Sequence, residues 1–249
     1  MTVAPTRIEI TTRDGTCRSI VFRPKGAGPW PAVLMFMDGV GIRPAMVEVA
    51  ERLSTYGYFV LLPDLFYRSG PYEPMNAKTV FVDPEQKKRL YGEFFAKAPL
   101  PNLMSDTQYF LDWIAAQPDV KPGPVGTTGY CMGGAASLSA AGTYPDRIAA
   151  AASYHGGRLA TDAPDSPHRK AATTTARVYV AGAIEDASFP DDMKARLEAA
   201  YTEAGVPHLI ETYQAKHGWV LRDFTIFDQA GCDRHWTTLV GLMDATLKA

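Results

Sequence analysis

A cysteine framed by glycines at the end of a buried strand is the feature of this sequence best suited to covalent chemistry. The segment GYCMGG (129–134) has the G-x-C-x-G spacing of a nucleophile elbow, in which a sharp strand-to-helix turn lifts a reactive side chain above the sheet. The N-terminus of the following helix would stabilise a thiolate and an oxyanion. The pattern predicts that Cys131 is a nucleophile. The alternative is a small buried cysteine beside glycines that only allow close packing.

A nucleophile of this kind needs an acid and a histidine further along the chain, in that order. His217 follows the last predicted strand, where a loop can carry an imidazole over the thiol. Asp186 follows another predicted strand and can accept the Nδ1–H of His217. Glu185 is the competing acid, and either carboxylate could instead cap the helix that begins near Pro190. The order along the chain therefore predicts a triad of cysteine, acid and histidine.

The elements that must position these residues alternate between strand and helix after an antiparallel start. RIEITT (7–12) and CRSIVFRP (17–24) predict a hairpin around Asp14-Gly15. The run PAVLMFM (31–37) is continuously apolar, as in a parallel strand that helices cover on both faces. The pattern predicts an α/β fold with one doubly wound, mostly parallel sheet. The other predicted strands are 58–64, 124–130, 148–155, 177–183 and 208–214, and the predicted helices are 44–56, 101–117, 132–144, 189–205 and 233–249.

Residues 65–100 interrupt this alternation. They contain Arg68-Ser69-Gly70-Pro71, further prolines and a charged run from Asp83 to Arg89, and they are too long for an ordinary strand-to-helix turn. We expect this segment to form a cap over the active site. Because no linker rich in glycine, serine or proline divides the 249 residues, we expect a single domain spanning 1–249.

Composition argues against several other classes of protein. The formal net charge is −2, so nucleic-acid binding through a strong basic field is not expected. No segment approaches the roughly 20 apolar residues needed to cross a bilayer, and the N-terminal segment has no secretory signal pattern, so we expect a cytoplasmic protein. Cys17, Cys131 and Cys232 fit neither a disulfide framework nor a zinc site. We expect no metal or organic cofactor, and either a monomer or a homodimer.

The order of these motifs resembles that of the dienelactone hydrolase family of α/β-hydrolases. The resemblance extends from about Pro31 to the last helix, and it implies an α/β-hydrolase fold with a triad of Cys131, Asp186 and His217. The segments that carry it are GYCMGG (129–134), Pro63-Asp64-Leu65-Phe66, the stretch from Asp186 to Phe189-Pro190, and His217.

The resemblance also implies how the nucleophile is assisted. In the family, an acidic residue after the first buried strand contacts the nucleophile and helps to generate the thiolate. The matching residue here is Asp38, which is one carbon shorter than the usual glutamate. The two donors to the oxyanion would be the backbone N–H groups of Met132 and Gly39.

Arginines bind a substrate carboxylate in this family, one from the cap and one shortly after the histidine. Arg222, five residues beyond His217, resembles the second, and Arg68 and Arg89 both qualify as the first. The aromatic side chain Tyr91 in the cap and Trp219 beside the histidine are further candidates for the substrate pocket.

These residues together predict a cysteine hydrolase that cleaves a small-molecule ester or lactone through a thioester intermediate. One alternative is a general carboxylesterase that does not require a carboxylate on its substrate. Another is a non-catalytic thiol protein that senses oxidants or holds an acyl group, although the lack of a C-x-x-C pair weakens the redox version.

Overall fold

A computed structural model describes residues 3–249 of the chain. The first two residues of the N-terminal segment, for which no secretory signal is expected, lie outside the described residues. The described residues form one sheet whose strands are β1 (Thr6–Thr12), β2 (Gly15–Phe22), β3 (Ala32–Phe36), β4 (Phe59–Pro63), β5 (Val125–Tyr130), β6 (Ile148–Tyr154), β7 (Arg177–Ala183) and β8 (His208–Tyr213).

The order of strands across the sheet is β1-β2-β4-β3-β5-β6-β7-β8. The β1–β2 hairpin is antiparallel and pairs antiparallel with β4, and all the remaining pairs are parallel. The predicted α/β-hydrolase fold, with a mostly parallel sheet and an antiparallel N-terminal hairpin, is confirmed. Strand β5 lies at the centre, between β3 and β6, so the loops that follow these three strands meet at one edge.

Helices cover both faces of this sheet. The helices are α1 (Pro44–Thr55), α2 (Pro84–Arg89), α3 (Leu100–Ala115), α4 (Met132–Thr143), α5 (Asp191–Glu203) and α6 (Gln229–Leu247). Helix α4 packs on β5 and β6 from one face, and α6 packs on the same strands from the other. The stretch MGGAASLSAAG of α4 consists almost wholly of small residues, which lets the helix lie close to the strands.

The last helix begins earlier than the sequence pattern predicts. It starts at Gln229 rather than at Asp233, because the Asp228 side chain accepts a hydrogen bond from the Gly231 N–H and caps the first turn. Cys232 therefore lies within α6 and is buried there. Within residues 3–249, no helix is both long and apolar enough to cross a membrane.

The segment between β4 and α3 folds around its own aromatic side chains. It contains α2 and three other short helical turns, Tyr67–Ser69, Leu90–Phe94 and Phe95–Lys97. The rings of Phe66, Tyr72, Phe94 and Phe95 lie 5.1–6.2 Å apart and form a cluster, which we call the cap aromatic cluster. This cluster packs against Gly39 and Gly41 in the loop after β3. That loop is next to the end of the central strand.

Candidate active site

Cys131 occupies a strained turn between β5 and α4. Its φ and ψ are 54° and −117°, a left-handed conformation that residues with a side chain rarely adopt. A Cβ at Gly129 would lie 1.8 Å from the carbonyl oxygen of Gly133, and a Cβ at Gly133 would lie 2.4 Å from the carbonyl of Phe36. Glycine is therefore required at both positions. The turn leaves Cys131 partly exposed at the carboxyl end of the sheet.

His217 lies between the thiol and a carboxylate. Its Nδ1 is 2.8 Å from Oδ2 of Asp186, and Cys131 is near enough to influence the protonation of the ring. Burial alone would lower the pKa of His217, but Cys131 and the Asp186 carboxylate outweigh that effect and raise it to about 10. The imidazole ring is therefore protonated at neutral pH.

The acid on the histidine is Asp186 and not its neighbour. Glu185 is exposed, and its nearest cationic group is Lys216, at 3.8 Å. The Asp186 side chain is almost fully buried beside His217. Burial would raise the pKa of Asp186, but hydrogen bonds from His217 and Ser188 lower it, so the carboxylate stays ionised. Of the two candidates, only Asp186 is placed to orient the imidazole.

Ser188 is a member of this group that the sequence pattern did not single out. Its hydroxyl donates to Oδ1 of Asp186 at 2.6 Å, and its backbone N–H donates to the same oxygen at 2.9 Å. One carboxylate oxygen is thus held by Ser188, while the other meets His217. A serine two residues after an aspartate in the loop beyond a strand is the Asx-turn pattern that would have drawn attention to it.

Replacing Ser188 with alanine is therefore expected to lower kcat about 10-fold, because a charge-assisted hydrogen bond that orients Asp186 is lost. The measurement is steady-state hydrolysis of p-nitrophenyl acetate, with Ser54→Ala in α1 as a control whose hydroxyl bonds only a helix carbonyl. Unchanged kcat in Ser188→Ala would mean that the backbone N–H of Ser188 alone is sufficient to hold the carboxylate.

The two predicted oxyanion donors lie on different elements. Met132 is the first residue of α4, directly after Cys131, and Gly39 lies in the loop after β3. Among residues 3–249, no protein group accepts a hydrogen bond from the Gly39 N–H, which leaves this donor free for a ligand. A Cβ at Gly39 would lie 2.7 Å from the Phe95 ring, so the cap aromatic cluster lies next to this residue.

Asp38, the predicted activator of the thiol, is fully engaged elsewhere. Its carboxylate forms a two-point ion pair with Arg43, at 2.7 and 3.0 Å, and also accepts the Val40 N–H at 3.0 Å. Both side chains are about 2% exposed. In this arrangement the groups that Asp38 contacts are a guanidinium and its own loop, and activation of Cys131 by Asp38 stays a prediction.

The two cap arginines proposed to bind substrate are held by other carboxylates. Arg68 makes a two-point pair with the buried Asp106, at 2.7 Å for each bond, and also bonds Asp14. Arg89 is exposed on α2 and pairs with Glu93 one helical turn away. Neither guanidinium contacts a member of the triad.

Arg222 lies on the far side of the histidine loop. It is exposed, its guanidinium lies 5.4 Å from the centre of the Phe227 ring, and it lines a cavity of about 200 Å³ between α1 and α6. That cavity also includes Glu48, Arg52 and Trp236, but no residue of the triad. The expectation that Arg222 projects beside the reacting carbonyl does not fit this placement, because the loop turns the side chain towards α6.

The two aromatic candidates differ in exposure. Tyr91 is about half exposed and its ring lies 5.0 Å from Phe95, at the edge of the cap aromatic cluster. Trp219 is fully buried; it stacks on Tyr213 and meets the His155 ring edge-on at 5.0 Å. Tyr91 is therefore accessible to a substrate, whereas Trp219 anchors the loop that contains His217 in the protein interior.

Comparison with known proteins supports what this geometry suggests. The family model "Dienelactone hydrolase family" matches residues 17–247. The chain belongs to the dienelactone hydrolase family. It is 22% identical over 250 residues to a protein of Synechocystis sp. that is provisionally named a carboxymethylenebutenolidase, with 99% of this chain and 98% of that protein covered. It is 32% identical over 154 residues to the carboxymethylenebutenolidase of Pseudomonas putida, which covers 60% of each chain.

Solved structures show the same fold. A protein of Klebsiella pneumoniae, provisionally assigned as a dienelactone hydrolase, superimposes with a TM-score of 0.83 at 21% identity, and 97% of this chain and 98% of that one are covered. The family resemblance inferred from the elbow and the order of the motifs is confirmed. So is the prediction of a hydrolase acting on ester or lactone bonds, which is the class of the dienelactone hydrolase family.

A second histidine lies behind the triad of this dienelactone hydrolase family member. His155 follows β6 with φ of 40°, is almost fully buried, and its ring lies 5.1 Å from that of His217. Burial and the neighbouring His217 lower its pKa well below the usual value, so it is neutral. The sequence placed it only at a strand end. Within residues 3–249, no group of three or more histidine, cysteine or acidic side chains is arranged to hold a metal ion.

Proposed function

We propose that this protein hydrolyses an ester or lactone bond of a small molecule by a two-step mechanism in which Cys131 is the nucleophile. His217 is the general acid and base, and Asp186 holds its tautomer. The observation that carries the proposal is the placement of His217, whose Nδ1 lies 2.8 Å from the Asp186 carboxylate and whose protonation is influenced by Cys131 at the elbow.

In the first step the Cys131 thiolate attacks the carbonyl carbon of the substrate. The carbonyl oxygen becomes a tetrahedral oxyanion, which the N–H groups of Met132 and Gly39 stabilise. When this intermediate collapses, the carbon–oxygen bond to the leaving group breaks, and the leaving oxygen takes the proton from the His217 imidazolium. The acyl group remains on sulfur as a thioester. For a lactone, the alcohol stays attached to the same molecule.

In the second step the neutral His217 accepts a proton from water, and the hydroxide attacks the thioester. The same two N–H groups hold the second oxyanion. The carbon–sulfur bond then breaks, which releases a carboxylic acid and returns the thiolate–imidazolium pair. The Asp186 carboxylate keeps Nδ1 protonated throughout, so Nε2 always faces the reacting atoms.

The experiment is to mix the protein with p-nitrophenyl acetate, quench in acid within one turnover, and measure the mass of the protein. We expect one acetyl group on Cys131 together with steady-state release of p-nitrophenol. Acylation without turnover would favour the alternative of a protein that only holds an acyl group. Absence of any acyl group on Cys131 would overturn the mechanism.

A neutral substrate is a second candidate within the same class, and the placement of the arginines favours it. Arg68 and Arg89 are paired with acidic residues, and Arg222 lies in a separate cavity. The nearest lining above Gly39 is aromatic, from Phe95. These contacts favour an ester or lactone with an apolar acyl or alcohol part, without a requirement for a carboxylate.

Substitution of Arg222 by methionine tests the choice between these substrates. Because the guanidinium lies away from the triad, we expect kcat/KM to change by less than about twofold for an acidic lactone and for a neutral ester of similar size. The measurement is a pair of kinetic assays on the same preparation. A loss of about 30-fold or more that is confined to the acidic lactone would mean that Arg222 reaches the substrate and that a carboxylate is recognised.

A further inference from the structure

A buried arginine joins the two loops that carry the catalytic groups. Arg43 precedes α1, and its guanidinium lies between two carboxylates. Asp38 bonds Nη1 and Nη2 at 2.7 and 3.0 Å, and Asp223 bonds Nε and Nη2 at 2.5 and 3.1 Å. Only about 2% of the Arg43 side chain is exposed. We call Asp38, Arg43 and Asp223 the arginine bridge.

One end of the arginine bridge fixes the loop that contains the predicted oxyanion donor. Asp38 and Arg43 stand at the two ends of this loop, and Gly39 lies between them. Arg43 Nη1 also donates to the carbonyl oxygen of Gly41 at 3.1 Å, while the Val40 N–H donates to Asp38. The loop is thus closed on itself by bonds on both sides of Gly39, so the position of the Gly39 N–H depends on the guanidinium.

The other end of the arginine bridge fixes the loop that contains His217. Asp223 comes six residues after His217, in the segment between β8 and α6. The ring of Phe224, the next residue, lies 5.4 Å from the Arg43 guanidinium carbon, and it also lies within van der Waals reach of a Cβ placed at Gly218. Arg43 therefore contacts Phe224, and Phe224 in turn lies beside the residue directly after the histidine.

Arg43 is the charged centre of the bridge, whereas burial outweighs the effect of Arg43 on Asp38 and raises the pKa of that carboxyl group. Burial alone would lower the pKa of Arg43, but the two carboxylates outweigh that effect and raise it, so the guanidinium stays charged. A buried Asp38 without this partner would be an uncompensated charge, which is strongly unfavourable. Asp223 is one-third exposed, so it is the member that can be altered with the smallest cost to folding.

We propose that Arg43 is a positioning residue. By connecting the two loops, it sets the Gly39 N–H against the substrate carbonyl that Cys131 attacks and keeps His217 in place beside it. The inference rests on the proposed function. It differs from the role that family resemblance implies for Asp38, because here Asp38 anchors a loop through Arg43 and does not remove a proton from the thiol. The two roles predict different effects on the reactivity of Cys131 itself.

The experiment compares two reactions of the same thiol in Asp223→Asn. Acylation by p-nitrophenyl acetate passes through an oxyanion, whereas alkylation by iodoacetamide does not and reports only the reactivity of the thiolate. We expect kcat for the ester to fall about 10-fold or more, because small misplacements of an oxyanion donor are costly, with KM changed less than about twofold. The alkylation rate is expected to stay within about twofold of the wild-type rate, since the Cys131–His217 pair is intact.

The matched control is Asp119→Asn. Asp119 also accepts a hydrogen bond from an arginine, Arg23, at 2.6 Å and is similarly part-exposed, but it lies before β5 at the opposite end of the sheet. We expect wild-type values for both reactions in this control. If Asp223→Asn does not fold, as thermal melting would show, Arg43→Lys makes the same comparison, because lysine keeps a buried positive charge but cannot bind two carboxylates through a planar fork.

The outcomes separate this inference from the proposed function. Equal losses of ester hydrolysis and alkylation in Asp223→Asn would assign the bridge to activation of the thiol and overturn the positioning role. Wild-type kcat in both variants would overturn it as well. Wild-type protein that forms no acyl group on Cys131 would instead overturn the proposed function, whatever the variants do.

Discussion

Cys131→Ala is expected to abolish hydrolysis of p-nitrophenyl acetate, with kcat reduced about 10⁴-fold or more, because covalent catalysis loses its nucleophile while the rest of the site is unchanged. The elbow tolerates alanine sterically, since the strain lies in the backbone of residue 131 and not in its sulfur. The measurement is steady-state kinetics beside a thermal melt, so that loss of activity can be separated from loss of fold.

The other two cysteines are the controls for this prediction. Cys17 is buried in β2, where burial raises the pKa of its thiol to about 12, and Cys232 is buried in α6, where burial also raises the pKa. Both stay protonated near neutral pH. Cys17→Ser and Cys232→Ser should keep activity, and one equivalent of iodoacetamide should inactivate the native protein at Cys131. Substantial activity in Cys131→Ala would contradict the whole mechanism.

The fold could be predicted largely because the pattern of polar and apolar residues in a strand indicates which of its faces are buried. The run before Asp38 is wholly apolar, as expected for a strand in a sheet covered on both sides, and the structure buries the central strand before Cys131 along its whole length. The hairpin at the start alternates, and the structure pairs it antiparallel at the sheet edge. Helix boundaries were less predictable, since the start of α6 depends on the Asp228 cap, whose partner lies three residues away.

The closeness of Asp186 to His217, and of both to the elbow, could be predicted because each of these residues lies within a few positions of a strand end. The carboxyl end of a parallel strand has a fixed place in the sheet, so Cys131, Asp186 and His217 converge once the strand order is known. The arginines were a different case. Arg68 and Arg222 lie within longer connections, where the direction of a side chain depends on loop conformation and on nearby carboxylates such as Asp106. No spacing rule encodes such contacts.

The arginine bridge is a set of contacts that the order of residues along the chain does not reveal. Asp38 forms a two-point contact with Arg43, which also binds Asp223 from a separate loop. A pattern read along the chain can propose that Asp38 is functional. The sequence pattern does not show which cation pairs with a buried carboxylate, because the ion pair forms only when segments distant in the sequence pack together.

Asp186 and His217 are expected to act as one unit with Cys131. His217→Ala should lower kcat about 10⁴-fold, and Asp186→Ala about 10²- to 10⁴-fold. The double variant should lose no more than His217→Ala alone, because Asp186 acts only by holding the imidazole through its 2.8 Å bond to Nδ1. The measurement is kcat for the three variants on one ester. Losses that multiply would mean that the two side chains act independently.

The titration of His217 gives the same pair a second test that does not depend on turnover. Its pKa is raised to about 10 although burial opposes this, because Cys131 and Asp186 favour the charged ring. The imidazolium is therefore present at neutral pH and is lost as the pH rises towards 10.

Removing Asp186 takes away one of the groups that favour the charged form, so the pKa of His217 in Asp186→Ala should fall and the imidazolium should disappear at lower pH. Following the ring proton resonances of His217 by NMR in the wild type and in Asp186→Ala measures this directly. An unchanged titration in Asp186→Ala would show that the thiolate alone holds the proton on His217, and that Asp186 serves only to orient the ring.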